Sequence, residues 1–198
     1  VDGPFVPSPE HPDGPGKGHA VEIGDALTRE WPTDAHVTAY EPVDRPFDDG
    51  TTAPIRLARG AIGVVPIRMT LAIGDVDDPE AHASRTPASD AWRASVEPRL
   101  NASGLLWYHT RGGARVLGPL AEPFLITSAA DAAAWTARYR AWCDELQARH
   151  GLTLDRSCSD WTRLYRLPNV QRDGAPQRAD LRGGDAPRVV LPAAVAPA

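Results

Sequence analysis

Three acidic residues follow directly on an apolar run in the first half of the chain. The run extends from Ile62 to Ile73 and leads through Gly74 into Asp75-Val76-Asp77-Asp78. Side chains alternate along a strand, so Asp75 and Asp77 are predicted to point to the same face. Two carboxylates side by side at a strand end suit Mg²⁺ or Mn²⁺, which leave other coordination positions for water and phosphate. A polar turn that closes a strand without any metal is the alternative for this motif.

A glycine turn in the second half supplies a candidate phosphate site. The segment Thr110-Arg111-Gly112-Gly113-Ala114-Arg115 separates two apolar stretches and predicts a β-hairpin. Consecutive glycine N–H groups can bind an anion, and the guanidinium groups of Arg111 and Arg115 can bind triphosphate oxygens. An ordinary hairpin turn with solvated arginines is the alternative. His109, just before the turn, is either a ligand or, as its type more often is, a structural histidine.

A third carboxylate and two further arginines follow later in the chain. Asp155 ends a short apolar segment, and Arg163 and Arg166 lie in Thr162-Arg163-Leu164-Tyr165-Arg166-Leu167. On a regular strand, residues three apart face opposite sides, so both arginines serve one site only if the strand contains a bulge or turn. Asp160 is a rival for the third carboxylate. A salt bridge from Asp160 to Arg163 is the structural alternative.

The sequence predicts a set of helices and strands that would position these residues. A short helix is predicted between Ala20 and Trp31, and a strand from Ile62 to Ile73 that Pro66 divides into two. A helix from Ser89 to about Leu100, the hairpin, a long helix from Ser128 to Gly151, a short strand before Asp155 and another over 162–167 follow. This order favours an α+β fold in which helices cover one face of a mainly antiparallel sheet.

The composition limits the classes of protein to which the chain can belong. With 198 residues, of which 42% are hydrophobic, it can form one well-filled domain. A transmembrane helix requires a run of about 18 apolar residues, which is absent from this sequence. The N-terminus lacks the features of a signal peptide, so a cytoplasmic protein without membrane contact is expected. Cys143 and Cys158 are too few for a disulfide framework or a structural zinc site.

Charge is unevenly distributed along the chain. The net charge of −5 argues against a simple basic nucleic-acid-binding module. Residues 1–100 carry 17 acidic and 9 basic side chains, whereas residues 101–198 carry 9 acidic and 12 basic ones, all of them arginine. Arginine favours planar, bidentate contacts with phosphate. A genome rich in G and C explains much of this excess, but not the positions of particular arginines.

In this order, the three clusters resemble the archaeo-eukaryotic primase (AEP) superfamily, in particular the primase-polymerases of phages, plasmids and mobile elements. The first family motif, a strand ending in Asp-x-Asp or Asp-x-Glu, is similar to Asp75-Val76-Asp77. The third, an apolar strand ending in Asp and a downstream Arg-x-x-Arg-Leu, is similar to Leu154-Asp155 and Arg163-Leu164-Tyr165-Arg166-Leu167-Pro168. This favours Asp155 over Asp160. The second motif normally ends in His, and Arg115 of Gly113-Ala114-Arg115 stands in that position.

The resemblance implies an RRM-like sheet of antiparallel or mixed strands and a DNA-dependent primase-polymerase, which is a nucleotidyltransferase. It implies two Mg²⁺ or Mn²⁺ ions held by Asp75, Asp77 and Asp155, with template DNA, a primer strand and ribo- or deoxyribonucleoside triphosphates as partners. Phosphate contacts are implied for Thr110, Arg111, Gly112, Gly113, Arg115, Arg163 and Arg166. Tyr108 and Tyr165 are candidates for stacking on a base or sugar, with packing in the core as the alternative.

The predicted organisation is a variable N-terminal extension of the same domain over residues 1–60, a catalytic core over 61–170 and a tail over 171–198. This segment is interpreted as either a loosely ordered tail or a linker to an absent downstream domain, and a helicase of the same replication system is a candidate partner. Two other functions fit the motifs: a metal-dependent nuclease or phosphohydrolase, and a non-catalytic replication-initiation module that binds nucleotide or origin DNA. Alanine at Asp75 or Asp77 is expected to abolish synthesis without unfolding the protein, because it removes like-charge repulsion.

Overall fold

Small antiparallel sheets and four helices in the described part of the chain form an α+β fold in the computed structural model, which confirms the predicted fold class. The structure describes residues 5–7, 18–20, 22–31, 34–172, 175–183 and 188–193. Buried apolar side chains form one core cluster that extends along the chain from Ala26 to Leu191. None of the helices in the described ranges has the length and apolar character needed to cross a membrane.

The boundaries of the elements are as follows. The strands are β1 Phe5–Pro7, β2 Gly18–Ala20, β3 His36–Val37, β4 Val43–Pro46, β5 Thr52–Ile55, β6 Ile67–Asp77, β7 Leu106–His109, β8 Gly113–Ile126, β9 Tyr165–Arg166, β10 Val170–Arg172 and β11 Ala175–Gln177. The helices are α1 Ile23–Thr28, α2 Pro79–Ser84, α3 Asp90–Ser103 and α4 Ala129–His150. Two 3₁₀ turns lie at Arg59–Ala61 and Arg156–Ser159.

The central sheet contains three antiparallel strands in the order β6-β8-β7. Strands β7 and β8 form the hairpin that the glycine turn predicts. In the register of β6 and β8, Asp75 lies opposite Arg115, and Asp77 lies opposite Gly113. A Cβ atom at Gly113 would come within 2.1 Å of the Val76 carbonyl oxygen. Glycine at this position therefore lets β8 begin beside the acidic end of β6.

Segments near both ends of the chain pack against this sheet. Tyr40 pairs with Met69 on the outer side of β6, and β3 pairs with β9. Arg182 pairs with Trp107 on the outer edge of β7, and Val189 forms a single bridge with β8. The described residues of the predicted N-terminal extension and of the predicted tail therefore belong to the same packed unit. A linker to a further domain remains a prediction.

The two long helices begin at the predicted serine caps, and α4 ends at Gly151 as predicted, whereas α3 continues past Leu100 to Ser103. Their caps, in chain order, are Ser89 and Gly104 for α3 and Ser128 and Gly151 for α4. Both glycines adopt the left-handed conformation that commonly ends a helix. The Tyr139 hydroxyl on α4 donates to the Ile73 carbonyl oxygen at 2.9 Å. This bond fixes α4 on β6 immediately before the acidic residues.

Three predicted strands differ from the observed ones. Of the strand predicted over 162–167, only Tyr165–Arg166 is a strand. Pro66 does not divide a strand, because β6 begins after it at Ile67 and runs to Asp77, with a shift of register between Met69 and Leu71. The segment before Asp155 is not a strand. Its apolar residues, Leu152 and Leu154, are instead buried in the core. Side-chain packing, and not pairing in the sheet, holds this segment in place.

Candidate active site

The carboxylate of Asp75 is buried and is held by a guanidinium group on the neighbouring strand. Asp75 is 7% exposed and Arg115 is 9% exposed. Nε of Arg115 donates to Asp75 Oδ1 at 2.7 Å, and Nη2 donates to Oδ2 at 3.0 Å. This two-bond geometry gives the strongest pairing between arginine and a carboxylate. The register of β6 and β8 creates the pair, because directly opposed residues place their side chains on the same face.

The other contacts of Arg115 are also with the protein. Nη1 donates to the Arg166 carbonyl oxygen at 2.7 Å and lies 3.4 Å from the Tyr108 hydroxyl. The rings of Tyr108 and Tyr165 lie 5.9 and 5.2 Å from Arg115 Cζ, and both residues are 2% exposed. Contrary to the sequence-based prediction, the Arg115 guanidinium is therefore used to hold Asp75 and not offered to phosphate. The two tyrosines pack against Arg115 and are almost fully buried, although Tyr108 also lines the cavity beside the cluster.

Asp155 approaches Asp75 from the end of α4. After the left-handed Gly151, the chain turns back and buries Leu154 against β6. Leu154 occupies the space beside Gly74, where an added Cβ would come within 2.4 Å of Leu154 Cδ2. The Asp155 N–H donates to the Asp75 carbonyl oxygen at 2.8 Å. The glycine before Asp75 thus allows the third carboxylate to lie beside the first.

Arg163 bridges these two carboxylates. Its Nη1 donates to Asp155 Oδ2 at 3.1 Å, and its Nη2 donates to Asp75 Oδ2 at 3.3 Å. Asp160 pairs with Arg59 at 2.6 Å and takes no part in the cluster. The structure therefore brings together Asp155, and not Asp160, with Asp75.

Asp77 lies on the more open side of the cluster. Its side chain is 33% exposed, and Nδ1 of His82 lies 3.5 Å from its Oδ2. Burial, followed by the negative charge of Asp75, raises the pKa of the Asp77 carboxyl. Burial also acts to raise the pKa of Asp155, but hydrogen bonds from Ser157 and Arg163 outweigh it and lower that pKa. The repulsion that acts on Asp77 is the kind that a bound divalent cation relieves.

Cys158 belongs to the same cluster, although the sequence indicates only a packing residue. Its Sγ lies 3.7 Å from Asp75 Oδ2 and 3.9 Å from Asp155 Oδ2, and the residue is 2% exposed. Burial, followed by the charge of Asp75, raises the pKa of the Cys158 thiol to about 12. The thiol is therefore protonated at neutral pH and acts as a weak donor to the carboxylates, not as a nucleophile.

The third acidic residue of the turn, Asp78, anchors the surrounding elements. It is 4% exposed and caps the N-terminus of α2, with Oδ1 accepting the Glu80 N–H at 3.0 Å. Its Oδ2 accepts the Ser89 N–H at 3.2 Å, and its own N–H donates to the Gly112 carbonyl oxygen at 3.0 Å. Asp78 therefore joins the end of β6 to the starts of α2 and α3 and to the glycine turn.

Asp78→Ala is expected to lower the free energy of unfolding by about 1–3 kcal/mol, because the N–H groups of Glu80 and Ser89 lose a partly buried acceptor. Urea denaturation followed by circular dichroism measures the change. The matched control is Asp48→Ala, which removes an exposed carboxylate and should change stability by less than about 0.5 kcal/mol. Equal stability of the two variants would contradict the anchoring function of Asp78.

A cavity of about 670 Å³ opens beside the acidic cluster, with Asp75 and Asp77 in its wall. Of the predicted phosphate-binding residues, Thr110, Arg111, Gly112, Arg115 and Arg166 also line it. Gly113 is buried against β6, and Arg163 faces the carboxylates. His109 lines the cavity too, but its Nε2 is hydrogen-bonded to Glu97 at 2.9 Å.

Six arginines line this cavity, and four of them have carboxylate partners. The pairs are Arg115–Asp75, Arg166–Asp34, Arg178–Glu30 and Arg182–Glu97. Within the described part of the chain, Arg93 and Arg111 have no such partner. Arg93 Nη2 donates to the Thr110 carbonyl oxygen at 3.4 Å, while its Nε is buried without a hydrogen bond. The cavity therefore combines carboxylates with two uncompensated positive charges, of which Arg93 belongs to no motif that the sequence could reveal.

The cluster suits a divalent cation, but its side chains are arranged around arginine. Over the described ranges, no three acidic, histidine or cysteine side chains are already grouped as metal ligands. A positive group nevertheless bridges Asp75 and Asp155, and the pKa of Asp77 is raised by burial and a neighbouring carboxylate. Hard carboxylate oxygens of this kind are the ligands that Mg²⁺ and Mn²⁺ prefer. The donor set therefore fits the predicted metals, provided that the Arg163 guanidinium moves.

Comparison with known proteins identifies one structural likeness. The fold is similar to that of the AEP domain of the primase-polymerase of cyanophage S-2L, with 14% sequence identity and a TM-score of 0.46. The match covers 96% of this chain and 87% of the cyanophage domain. A likeness at this level transfers no residue function from one chain to the other. No family model matches the sequence, and no curated protein matches it.

Proposed function

We propose that this chain is a metal-dependent nucleotidyltransferase of the primase-polymerase type, which joins nucleotides on a DNA template. The observation that carries the proposal is the position of Asp75 and Asp77 in the wall of a cavity that also contains Arg93 and Arg111, which have no carboxylate partner among the described residues. Asp155 lies behind this wall and is joined to Asp75 through Arg163. A nucleoside triphosphate needs both features, because carboxylates hold its metal ions and arginines bind its phosphate oxygens.

In this proposal each residue of the cluster has a defined task. Bound Mg²⁺ or Mn²⁺ ions would activate the attacking 3′-hydroxyl and neutralise the charge of the triphosphate. Asp77 and Asp155 present the more exposed carboxylates, and Asp75 presents a carboxylate whose orientation Arg115 fixes. An oriented ligand needs no reorganisation when substrate arrives, which is the property that efficient catalytic sites share.

The unpaired arginines are the residues to which we assign the phosphates of the substrate. Arg111 is exposed at the glycine turn, and the partly buried Arg93 contacts the same turn. Because Gly113 lies opposite Asp77, the turn places these charges near the open carboxylate. Arg166 retains a carboxylate partner, Asp34, so it offers less positive charge to a ligand than Arg93 or Arg111.

A second candidate function is supported by the Arg115–Asp75 pair. Both oxygens of Asp75 already accept hydrogen bonds from a buried guanidinium. A cluster neutralised in this way suits a module that binds nucleotide or DNA and catalyses nothing. The nuclease or phosphohydrolase alternative uses the same carboxylates and differs only in its reaction.

One assay distinguishes the three functions. Purified protein is incubated with Mn²⁺ or Mg²⁺, template DNA and separate pools of labelled ribo- or deoxyribonucleotides, with and without a primer. Primer synthesis or extension supports the proposal, and cleavage of DNA without incorporation supports the hydrolase. Binding of DNA or nucleotide without either reaction supports the non-catalytic module.

Arg93→Gln and Arg111→Gln are each expected to raise the KM for nucleotide about tenfold, because a charged hydrogen bond contributes about 1.5 kcal/mol or more. Primer-extension kinetics at varied nucleotide concentration measure this change. Arg149→Gln is the control, since Arg149 lies on the exposed end of α4 and forms an ion pair with Glu145, away from the cavity. If the KM for nucleotide is unchanged in both Arg93→Gln and Arg111→Gln, the phosphates of the nucleotide do not bind at this end of the cavity.

A further inference from the structure

The acidic cluster contains one fixed guanidinium group and one that is held more loosely. Arg115 binds Asp75 through two bonds of 2.7 and 3.0 Å, and its side chain is 10% exposed. Arg163 reaches Asp75 through a single bond of 3.3 Å and Asp155 through a single bond of 3.1 Å, and its side chain is 33% exposed. Of the two, Arg163 is therefore the group that can leave the carboxylates at the smaller cost.

Arg163 occupies the space that a cation shared by the two carboxylates would need. The Oδ2 atoms of Asp75 and Asp155 both contact Arg163, and both lie within 3.9 Å of Cys158 Sγ. A metal ion bound between Oδ2 of Asp75 and Oδ2 of Asp155 would lie against the positive guanidinium of Arg163, which contacts both atoms. A metal ion and Arg163 therefore compete for this position.

We propose that Arg163 holds the position of a divalent cation between Asp75 and Asp155 and is exchanged for that cation when the site is loaded. This inference rests on the proposed function, which supplies the metal and an anionic triphosphate. Once displaced, the Arg163 guanidinium becomes available to the phosphates of the ligand. Binding of metal and binding of the anion are coupled as a result, because each favours the conformation in which Arg163 has left the carboxylates.

Binding of Mn²⁺ alone, without nucleotide, tests the exchange. Titration calorimetry, or electron paramagnetic resonance of free Mn²⁺, gives the dissociation constant for the wild type and for Arg163→Gln. Arg163→Gln is expected to bind Mn²⁺ about tenfold more tightly, because the competing cation is gone. The matched control is Arg111→Gln, which removes a positive charge from the cavity wall without touching Asp75 or Asp155. Because solvent screens the exposed charge of Arg111, Arg111→Gln is expected to change the dissociation constant for Mn²⁺ by about twofold at most.

Equal or weaker Mn²⁺ binding by Arg163→Gln, relative to Arg111→Gln, would overturn the exchange. If a thermal melt shows that Arg163→Gln is unfolded, Ser157→Ala replaces it, since Ser157 Oγ accepts from Arg163 Nη1 at 2.6 Å and helps to hold the side chain. Ser157→Ala must then tighten Mn²⁺ binding in the same direction, and a dissociation constant equal to that of the wild type counts against the exchange.

The outcomes separate this inference from the proposed function. If Asp77→Asn abolishes Mn²⁺ binding and Arg163→Gln does not bind Mn²⁺ more tightly than the wild type, only the exchange is overturned. Failure of every variant to bind Mn²⁺ would overturn the metal site and therefore both proposals.

Discussion

Asp75→Ala is expected to destabilise the folded protein by about 3–5 kcal/mol, because it leaves a buried guanidinium without its carboxylate. The Arg115 side chain is 10% exposed, so water cannot replace the two bonds that Asp75 accepts. Equilibrium unfolding in urea, followed by circular dichroism, measures the loss. Wild-type stability in Asp75→Ala would show that Arg115 escapes to solvent and that the pair does not hold β6 to β8.

A compensated double variant provides the control for this prediction. Replacement of a whole buried ion pair by apolar residues of similar volume is often neutral or stabilising. Asp75→Leu combined with Arg115→Met should therefore recover most of the stability that Asp75→Ala loses. If the double variant is no more stable than Asp75→Ala, the unpaired charge is not the cause of the destabilisation.

Because the Asp75–Arg115 pair is expected to stabilise the fold, a mutation of Asp75 has to be interpreted differently from a mutation of Asp77. The sequence alone predicts that removal of Asp75 or Asp77 relieves repulsion and leaves folding intact. That expectation does not hold for Asp75, whose negative charge balances Arg115 and Arg163. A loss of activity in Asp75→Ala would therefore reflect partial unfolding as well as loss of the proposed metal ligand. Asp77 is the better position at which to test the metal site.

Asp77→Asn is expected to reduce nucleotide incorporation about a thousandfold or more, because a lost metal ligand removes several kcal/mol of transition-state stabilisation. The folded state should remain intact, since no arginine among the described residues depends on Asp77. Primer-extension rates and a thermal melt of the same preparation measure the two effects. The control, Asp48→Asn, changes an exposed carboxylate and should leave both unchanged. Incorporation at the wild-type rate by Asp77→Asn would exclude this carboxylate from the metal site.

Because the pKa of Asp77 is raised, Asp77→Asn should also change how folding stability depends on pH. A carboxyl whose pKa is higher in the folded state binds its proton more tightly there than in the unfolded chain. Folding stability therefore falls as the pH rises from the ordinary aspartate pKa through the raised value. Asp77→Asn lacks this dependence, so its stability relative to the wild type should increase across that interval. Urea denaturation at a series of pH values measures the difference.

Local signals in the sequence determined the elements that carry the site. Alternation along β6 predicts that Asp75 and Asp77 share a face, and both line the cavity. The glycine turn predicts the hairpin of β7 and β8, the serine caps predict the starts of α3 and α4, and Gly151 predicts the end of α4. These features follow from backbone geometry and from hydrogen bonds between residues close together in the chain, which the sequence displays directly.

Tertiary packing alone decided what each charged residue of the site contacts. Arg115 is 40 residues from Asp75, and Arg163 is 88 residues from it, so only the register of β6 and β8 and the turn after α4 bring them together. Sequence pattern placed Arg115 among the phosphate ligands, whereas the strand register points it at a buried carboxylate. The three aspartates of the turn are alike in sequence. Burial and the positions of distant donors make Asp75 the ion-paired residue, Asp77 the open carboxylate and Asp78 the structural cap.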